Sequence, residues 1–324
     1  MRELSILLCL TLSGLWPSLA AAQAWPVKPI RMVVGFPAGS ATDITGRILA
    51  EHLRIKLGQP VVVDNKPGAN GILGAAEVAR APADGYTVLM SNSSTVTVNP
   101  LLYKNLQYDP ARDFAPVALV VAAPFVLAVN PEKDLGAPVA NVADLVRAAK
   151  AKSGGLSYGS AGHGNLTQLA MELFNGQAGV KMVHVPYKSV SQAQIALLAR
   201  EVDAIFDTIA VVPQVKAGKL RALAVSSAQR WRDLPEVPTM AESGYPGFDM
   251  SFWLGVLVPA QAPPSVARAL YEAIKSAAEV PASRAQLLQQ GDIMMLDPQQ
   301  FAARIRRETE ENAATIKRAG IQVE

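Results

Sequence analysis

The chain has 324 residues, with 30 lysines and arginines against 27 aspartates and glutamates, a formal net charge of +3, and a single cysteine. A charge this slight, with no basic run, argues against a nucleic-acid partner. The lone cysteine, Cys9, excludes a disulfide framework and a thiolate metal centre.

Residues 1–24 have the form of a cleaved secretory leader. Met1-Arg2-Glu3 precedes the apolar run Leu4-Ser5-Ile6-Leu7-Leu8-Cys9-Leu10, and Ala22-Gln23-Ala24 supplies an A-x-A cleavage site, which leaves Trp25 as the mature N-terminus. The apolar run falls short of the roughly 20 residues that span a bilayer. Cys9 leaves with the leader, so the mature chain has no cysteine. An exported chain without disulfides suggests a Gram-negative periplasm, and roughly 300 mature residues suffice for two domains.

The first unit begins with an apolar run at 30–36. The small-residue turn Pro37-Ala38-Gly39-Ser40-Ala41-Thr42-Asp43 follows and leads into a helix at 42–57. Ile44, Ile48 and Ile55 share one face of that helix and Leu49, Leu53 and Leu57 a second, which predicts burial on two sides. Gly58 ends it. A strand at 61–63, the turn Pro67-Gly68-Ala69-Asn70-Gly71, a helix at 73–80 and a strand at 86–90 complete β-α-β-α-β. That order predicts a parallel sheet with right-handed crossovers.

A long extended segment at 114–129 leads to a second unit of the same plan. It has strands at 156–158, 180–187, 202–206 and 220–225, helices at 166–177 and 192–200, a helical turn at 212–217 and a glycine-rich loop at 159–165. Another extended segment spans 252–259. After Pro263-Pro264 the pattern is helical to the end, with Arg304-Ile305-Arg306-Arg307-Glu308 on a solvated face. The expected fold is therefore α/β and two-lobed, each lobe a mainly parallel sheet flanked by helices, joined by two crossover segments. Lobe 1 would comprise 25–124 and 253–324, and lobe 2 would comprise 125–252. A ligand cleft between such lobes faces the carboxyl ends of the strands.

Three enzyme-like or metal chemistries can be weighed. Ser160 lies in Tyr158-Gly159-Ser160-Ala161-Gly162, which lacks the G-x-S-x-G spacing of a nucleophile elbow, so a hydrolase using His163 is a weak alternative. His52, His163 and His184 are far apart in sequence and form no metal pair. His52 reads as a helix-surface residue and His184 as a satisfied sheet residue. Gly159, Gly162 and Gly164 reverse the dinucleotide fingerprint. Binding is what the pattern favours. Both small-residue loops open helices whose first N–H groups attract anions, and Ser160, Asn165 and Thr167 add side-chain donors. A helix dipole contributes only about 0.3–1 kcal/mol, so charge-assisted hydrogen bonds must supply most of an affinity.

Several ordered motifs then carry a resemblance. They are Trp25-Pro26-Val27-Lys28-Pro29-Ile30-Arg31, the 37–43 turn, Pro67-Gly68-Ala69-Asn70-Gly71, Asp84-Gly85-Tyr86-Thr87, Tyr158-Gly159-Ser160-Ala161-Gly162, Val185-Pro186-Tyr187-Lys188, Ala217-Gly218-Lys219-Leu220-Arg221-Ala222-Leu223-Ala224 and Pro238-Thr239-Met240-Ala241-Glu242. Over nearly the whole mature chain the set resembles the substrate-binding proteins of tripartite tricarboxylate transporters, the Bug receptors. The resemblance implies a type II, Venus-flytrap periplasmic binding protein that is not an enzyme, needs no cofactor and works as a monomer. It would capture a small organic acid, a carboxylate or an acidic amino acid, and pass it to one large and one small membrane subunit. A receptor presenting its closed form to a sensor kinase is the alternative.

The ligand-binding set expected from the two turns and the resemblance is Phe36, Pro37, Gly39, Ser40, Thr42, Asp43 and Asn92 from lobe 1, with Ser160, Gly162, His163, Asn165, Thr167 and Asp207 from lobe 2. Asp43 has two readings: a helix cap paired with Arg47, or a partner for a ligand ammonium. The chain departs from the family pattern at Ala38 (usually glycine), Asn165 (usually serine), Gln168 (usually histidine) and Ser189 (usually glycine).

Overall fold

A computed structural model describes residues 25–321, so the leader expected at residues 1–24, Cys9 included, lies outside the described residues. In β1 (Ile30–Val34) every residue but Arg31 is buried. The chain then turns into α1 (Ala41–Leu57), where Ser40 caps the first turn by accepting from Asp43 N, and Gly58, at φ 68°, ends the helix by donating to Arg54 O. One side of α1 is buried, Thr42, Asp43, Thr45, Gly46, Leu49, Ala50, His52 and Leu53, centred on the leucine stripe. Ile44 and Ile55, expected inside, are 37% and 67% exposed. The helix lies on the sheet by its leucine face and has solvent on the other. His52, expected at the surface, is buried instead, with Nε2 2.8 Å from Ser276 Oγ on a later helix that packs along α1.

After α1 come β2 (Val61–Asn65), α2 (Ile72–Ala79) and β3 (Thr87–Asn92), and β1 pairs in parallel with both strands. A π-helical turn at Ser94–Val98 continues into the short helices α3 (Asn99–Leu102) and α4 (Pro110–Asp113). β4 (Phe114–Pro124) belongs to this first sheet and β5 (Val126–Val129) to a second, so the first crossover is the single residue Phe125. The second sheet is built with α5 (Val142–Ala151), β6 (Ser157–Ser160), α6 (Leu166–Ala178), β7 (Val183–Pro186), α7 (Val190–Leu198), β8 (Ala204–Asp207), α8 (Val212–Lys216) and β9 (Arg221–Val225). The chain returns through β10 (Ser251–Pro259), α9 (Pro264–Ala277), α10 (Pro281–Leu288), β11 (Asp292–Leu296) and α11 (Pro298–Ala319).

The sheet orders are β11-β4-β10-β3-β1-β2 and β7-β6-β8-β5-β9. Both are mixed. The parallel part is confined to β2-β1-β3 in one and β7-β6-β8 in the other, while β10 runs antiparallel to β3 and β5 antiparallel to β8. The cause is geometric. A chain arriving from the other lobe enters at the cleft edge, where the parallel strands end, so it must run away from that edge. β11 replaces part of the helical run expected after Pro264 and pairs with β4. Gly291 permits this, because a side chain there would meet Ala122 O at 2.7 Å.

Apolar clusters fill both faces of each sheet. α11 packs on β4, on α6 and on the π-helical turn. Its Arg304 and Glu308, expected in solvent, are each only 14% exposed because they face the start of β10. Glu308 accepts from Arg304 Nε at 2.7 Å and from Trp253 Nε1 at 2.6 Å, and Arg304 Nη2 donates to Ser251 Oγ at 2.5 Å. Burial pushes the Glu308 pKa up despite the arginine beside it. No helix among the described residues is long and apolar enough to cross a membrane.

Three glycines set the floor of the first lobe's cleft edge. A side chain on Gly35 would meet Gly71 Cα and O at 2.9 Å, and one on Gly74 would meet Gly35 Cα at 2.8 Å. All these obstacles are backbone. Gly35→Ala is therefore expected to lower stability by about 1–3 kcal/mol through overpacking, read as a fall in the urea midpoint with unchanged slope.

Candidate functional site between the lobes

In the first turn only Gly39 adopts a left-handed conformation, φ 82°, with nothing nearby for a Cβ to meet. Ala38 therefore stands where a side chain is tolerated. Asp43 closes the turn: it accepts from Gly39 N at 2.8 Å, Arg47 Nε at 3.0 Å and Asn65 Nδ2 at 2.9 Å, and a second Arg47 nitrogen lies 3.0 Å away. Four donors fill the roughly four acceptor positions of a carboxylate. Burial alone would raise its pKa, but the Arg47, Gly39 and Asn65 bonds outweigh burial and hold it below the usual aspartate value. Asp43 thus has the capping and Arg47-pairing geometry. Asn65 Nδ2 also reaches Phe36 O at 3.0 Å, which ties Phe36 to β2. Among the described residues the amides of Ala38, Ala41 and Thr42 have no protein partner.

Beside this turn lies a region from which the sequence placed only Asn92 in the site, although the 67–71 turn itself was expected. Asn70 is left-handed at φ 53°. Its carbonyl accepts from Thr95 Oγ1 at 3.0 Å and Asn99 Nδ2 at 3.1 Å, and its Nδ2 donates to Asn99 Oδ1 at 2.9 Å. Asn92 Oδ1 accepts from Thr95 N at 3.1 Å, at the start of the π-helical turn. Ser93, Ser94, Thr95, Thr97 and Asn99 are all buried. The available signal is the polar run from Ser91 to Asn99 just beyond a buried strand, where an apolar helix would be ordinary. Such π-helical turns recur at functional sites.

In lobe 2 the glycine-rich loop is wired to its own side chains. Ala161 N donates to Thr167 Oγ1 at 3.0 Å, Gly162 N to Ser160 Oγ at 3.1 Å, Gly164 N to Gln168 Oε1 at 2.8 Å and Thr167 N to Asn165 Oδ1 at 3.0 Å. Asn165 N donates to Gly162 O at 3.3 Å. His163 N is the one amide of residues 161–167 without a partner among the described residues. The expected row of free amides is thus absent from this loop. The small side chains that mark a helix start also satisfy its donors.

The remaining candidates divide. Ser160 is fully buried, and its hydroxyl lies 2.6 Å from His184 Nε2. His163 is exposed and touches His184 only edge to face, with ring centroids 5.0 Å apart. Asp207 is buried at the end of β8, where it accepts from Gln194 Nε2 at 2.8 Å and Thr208 N at 2.6 Å. Burial, against those bonds, pushes its pKa up to about 7.

The two lobes meet at the turns. Asn165 Nδ2 donates to Asn70 Oδ1 at 3.3 Å, and Leu166 N, in the first turn of α6, donates to Ser94 Oγ at 3.4 Å. A Cβ on Gly71 would sit 3.1 Å from the Phe36 ring, so Phe36, Asn70 and Asn165 line one continuous edge.

Two predictions follow from this geometry. Asp43→Ala strands the Arg47 and Asn65 donors and should cost about 1–3 kcal/mol at neutral pH in urea unfolding. Because the folded pKa is lowered, that contribution is present above the unfolded value of 3.8 and is lost as pH falls through the folded one. The gap between variant and wild type should therefore close on acidification. His184 behaves in the opposite ionisation sense. Burial, with His163 nearby, lowers its pKa from 6.5 to about 4, so the unfolded chain takes up the proton first. Stability should fall as pH drops from about 6.5 to about 4, and His184→Gln should remove this share of the fall.

Comparison with known proteins agrees with this architecture. Residues 45–321 match the family model described as Tripartite tricarboxylate transporter family receptor. Protein BugT of Bordetella pertussis is 38% identical over 272 residues, covering 82% of each chain. A Rhodopseudomonas palustris protein solved with adipate superposes with a TM-score of 0.84 at 32% identity, over 93% of this chain and 100% of that one. MatC from the same organism, solved with bound malate, gives 0.80 at 28% identity, over 90% and 100%. Two mixed sheets joined by two crossovers, a cleft edge at the strand ends and this breadth of similarity place the chain in the tripartite tricarboxylate transporter receptor family, among the Bug-type solute-binding proteins.

Proposed function

We propose that the chain is a receptor that closes its two lobes on a small organic acid and delivers it to the membrane subunits of a tripartite tricarboxylate-type transporter. The carrying observation is the meeting of two βα turns from different sheets, with Asn165 of one bonded to Asn70 of the other. Relatives of the same architecture were solved with adipate and with malate, both aliphatic dicarboxylates. The partner-free amides of Ala38, Ala41 and Thr42 at the start of a 17-residue helix favour one carboxylate there. The His163 amide and imidazole, with the hydroxyl of Ser40, complete the donor set. Phe36 and Pro37 wall the first turn, and Gly39 supplies its left-handed residue. Ser160, Gly162 and Thr167 shape the second turn from behind, while Asn92 holds the start of the π-helical turn and Asp207 the end of β8.

Both turns come from one chain, so a monomer completes the site. A leader at 1–24 that is removed ahead of Trp25 would place the receptor in the periplasm of a Gram-negative cell, where a membrane transporter can meet it. The match to a tripartite transporter receptor family supports transfer to one large and one small membrane subunit.

A thermal-shift series with malate, adipate, citrate, aspartate and an uncharged sugar tests the reading. A bound ligand at one hundred times its Kd stabilises by about 2.7 kcal/mol, so a true acid ligand should raise the melting temperature clearly. Stabilisation by the sugar and by none of the acids would overturn it.

A further inference from the structure

Ser160, Gln168 and His184 form a chain of hydrogen bonds whose direction can be read from one end. Gly164 N–H can donate only to the amide oxygen of Gln168, at 2.8 Å, which fixes how that amide is turned. Gln168 Nε2 then faces His184 Nδ1 at 3.2 Å and donates to it. The ring proton of the neutral imidazole therefore sits on Nε2, 2.6 Å from Ser160 Oγ. Ser160 receives that bond and one from Gly162 N–H, and its own proton goes to Gly162 O at 3.2 Å. This tautomer is the reverse of the one a general base needs, since the imidazole gives Ser160 a proton contact instead of taking one. Tyr158 stacks on the ring at 4.9 Å and 19°, and its hydroxyl donates to Glu172, so the imidazole is held on its face as well. His163 is the one other titratable group in ring contact with it.

We infer that Gln168 and His184 are positioning residues for ligand capture. They clamp residues 160–164 so that every amide of the turn is spent internally except that of His163. Neither touches the ligand; each acts through the turn. The inference rests on the receptor reading above, and it extends that reading to two residues behind the binding surface. The clamp in this chain holds the imidazole through an amide whose orientation is fixed by Gly164 N–H.

The test combines a signature with a binding measurement. In the wild type, side-chain nitrogen chemical shifts should show His184 as the neutral Nε2–H tautomer at pH 7. Gln168→Glu offers only acceptors, so it should force a proton onto Nδ1 and move those shifts. With malate and adipate as probes, Gln168→Glu and His184→Phe should each weaken binding about tenfold or more. His184→Gln, which keeps a donor toward Ser160, should lose markedly less than His184→Phe. An Nδ1–H tautomer in the wild type overturns the inference, as does wild-type affinity in Gln168→Glu. If His184→Phe fails to fold, Gln168→Glu and the shifts decide. If the wild type binds neither acid, the dicarboxylate reading is what fails. The clamp is then judged on the nitrogen shifts and on amide exchange at Gly162, which should speed up at least tenfold in Gln168→Glu and would refute the clamp by staying unchanged.

Discussion

Everything in this molecule depends on how its two crossovers are tied together. Phe125 N–H donates to Ser226 Oγ at 2.7 Å, and Ser226 N–H donates back to Phe125 O at 2.8 Å. The Ser226 hydroxyl donates to Met250 O at 2.6 Å, and Met250 N–H returns to Ser226 O at 3.0 Å. One buried serine thus joins both strands that pass between lobes, and it lies where the parallel strands of both sheets end. That junction brings the turn after β1 and the turn after β6 to the same edge. It also imposes the mixed sheets, because each strand that leaves the junction runs against its parallel neighbours.

Beside an apolar contact, where Val98 and Leu102 join the core of the second sheet and α11 packs on α6, the lobes meet through few bonds. Arg232 Nη2 donates to Leu288 O at 2.8 Å and its Nε lies 3.2 Å from Asp292 on one side, and Asn165 and Leu166 reach Asn70 and Ser94 at the turns. A neutral hydrogen bond contributes about 0.5–1.5 kcal/mol net, so the turn contacts can open without unfolding either sheet. The charges follow the same economy. Asp43 is neutralised by Arg47 within its own helix, and the ionic cluster of Asp203 with Lys133 and Lys152 stands at the opposite ends of β6 and β8. On the proposed function an acid would meet neutral donors at helix starts. That suits a carrier, which has to release what it holds.

The alternation of elements was legible because strand and helix periods differ and because Ser40, Gly58 and Asn165 mark helix ends by local chemistry. What escaped was decided by packing partners far away in sequence. Leucine and isoleucine stripes on α1 are equally apolar, and only the sheet's position selects Leu49 and Leu53 over Ile44 and Ile55. His52 is buried by α9, more than two hundred residues on, and the Asp292–Leu296 strand exists because β4 offers an open edge. The two turns were recognised as helix starts, but amide availability was not legible. Side chains such as Thr167 and Gln168, already inside the helix, fold back to satisfy the amides ahead of it.

The positions at which the resemblance implies a departure differ in what their side chains touch. Ala38 changes little, since the left-handed position falls on Gly39. Asn165 changes more, because it does two jobs with two ends of one amide. Its Oδ1 caps α6 by accepting from Thr167 N, and its Nδ2 crosses the cleft to Asn70. A serine at this place could cap the helix equally well, but its hydroxyl has no second arm to reach the other lobe. The asparagine therefore adds a closing contact at the mouth of the site while preserving the helix start behind it, and Asn70, held left-handed by Asn99 and Thr95, is the surface it closes against.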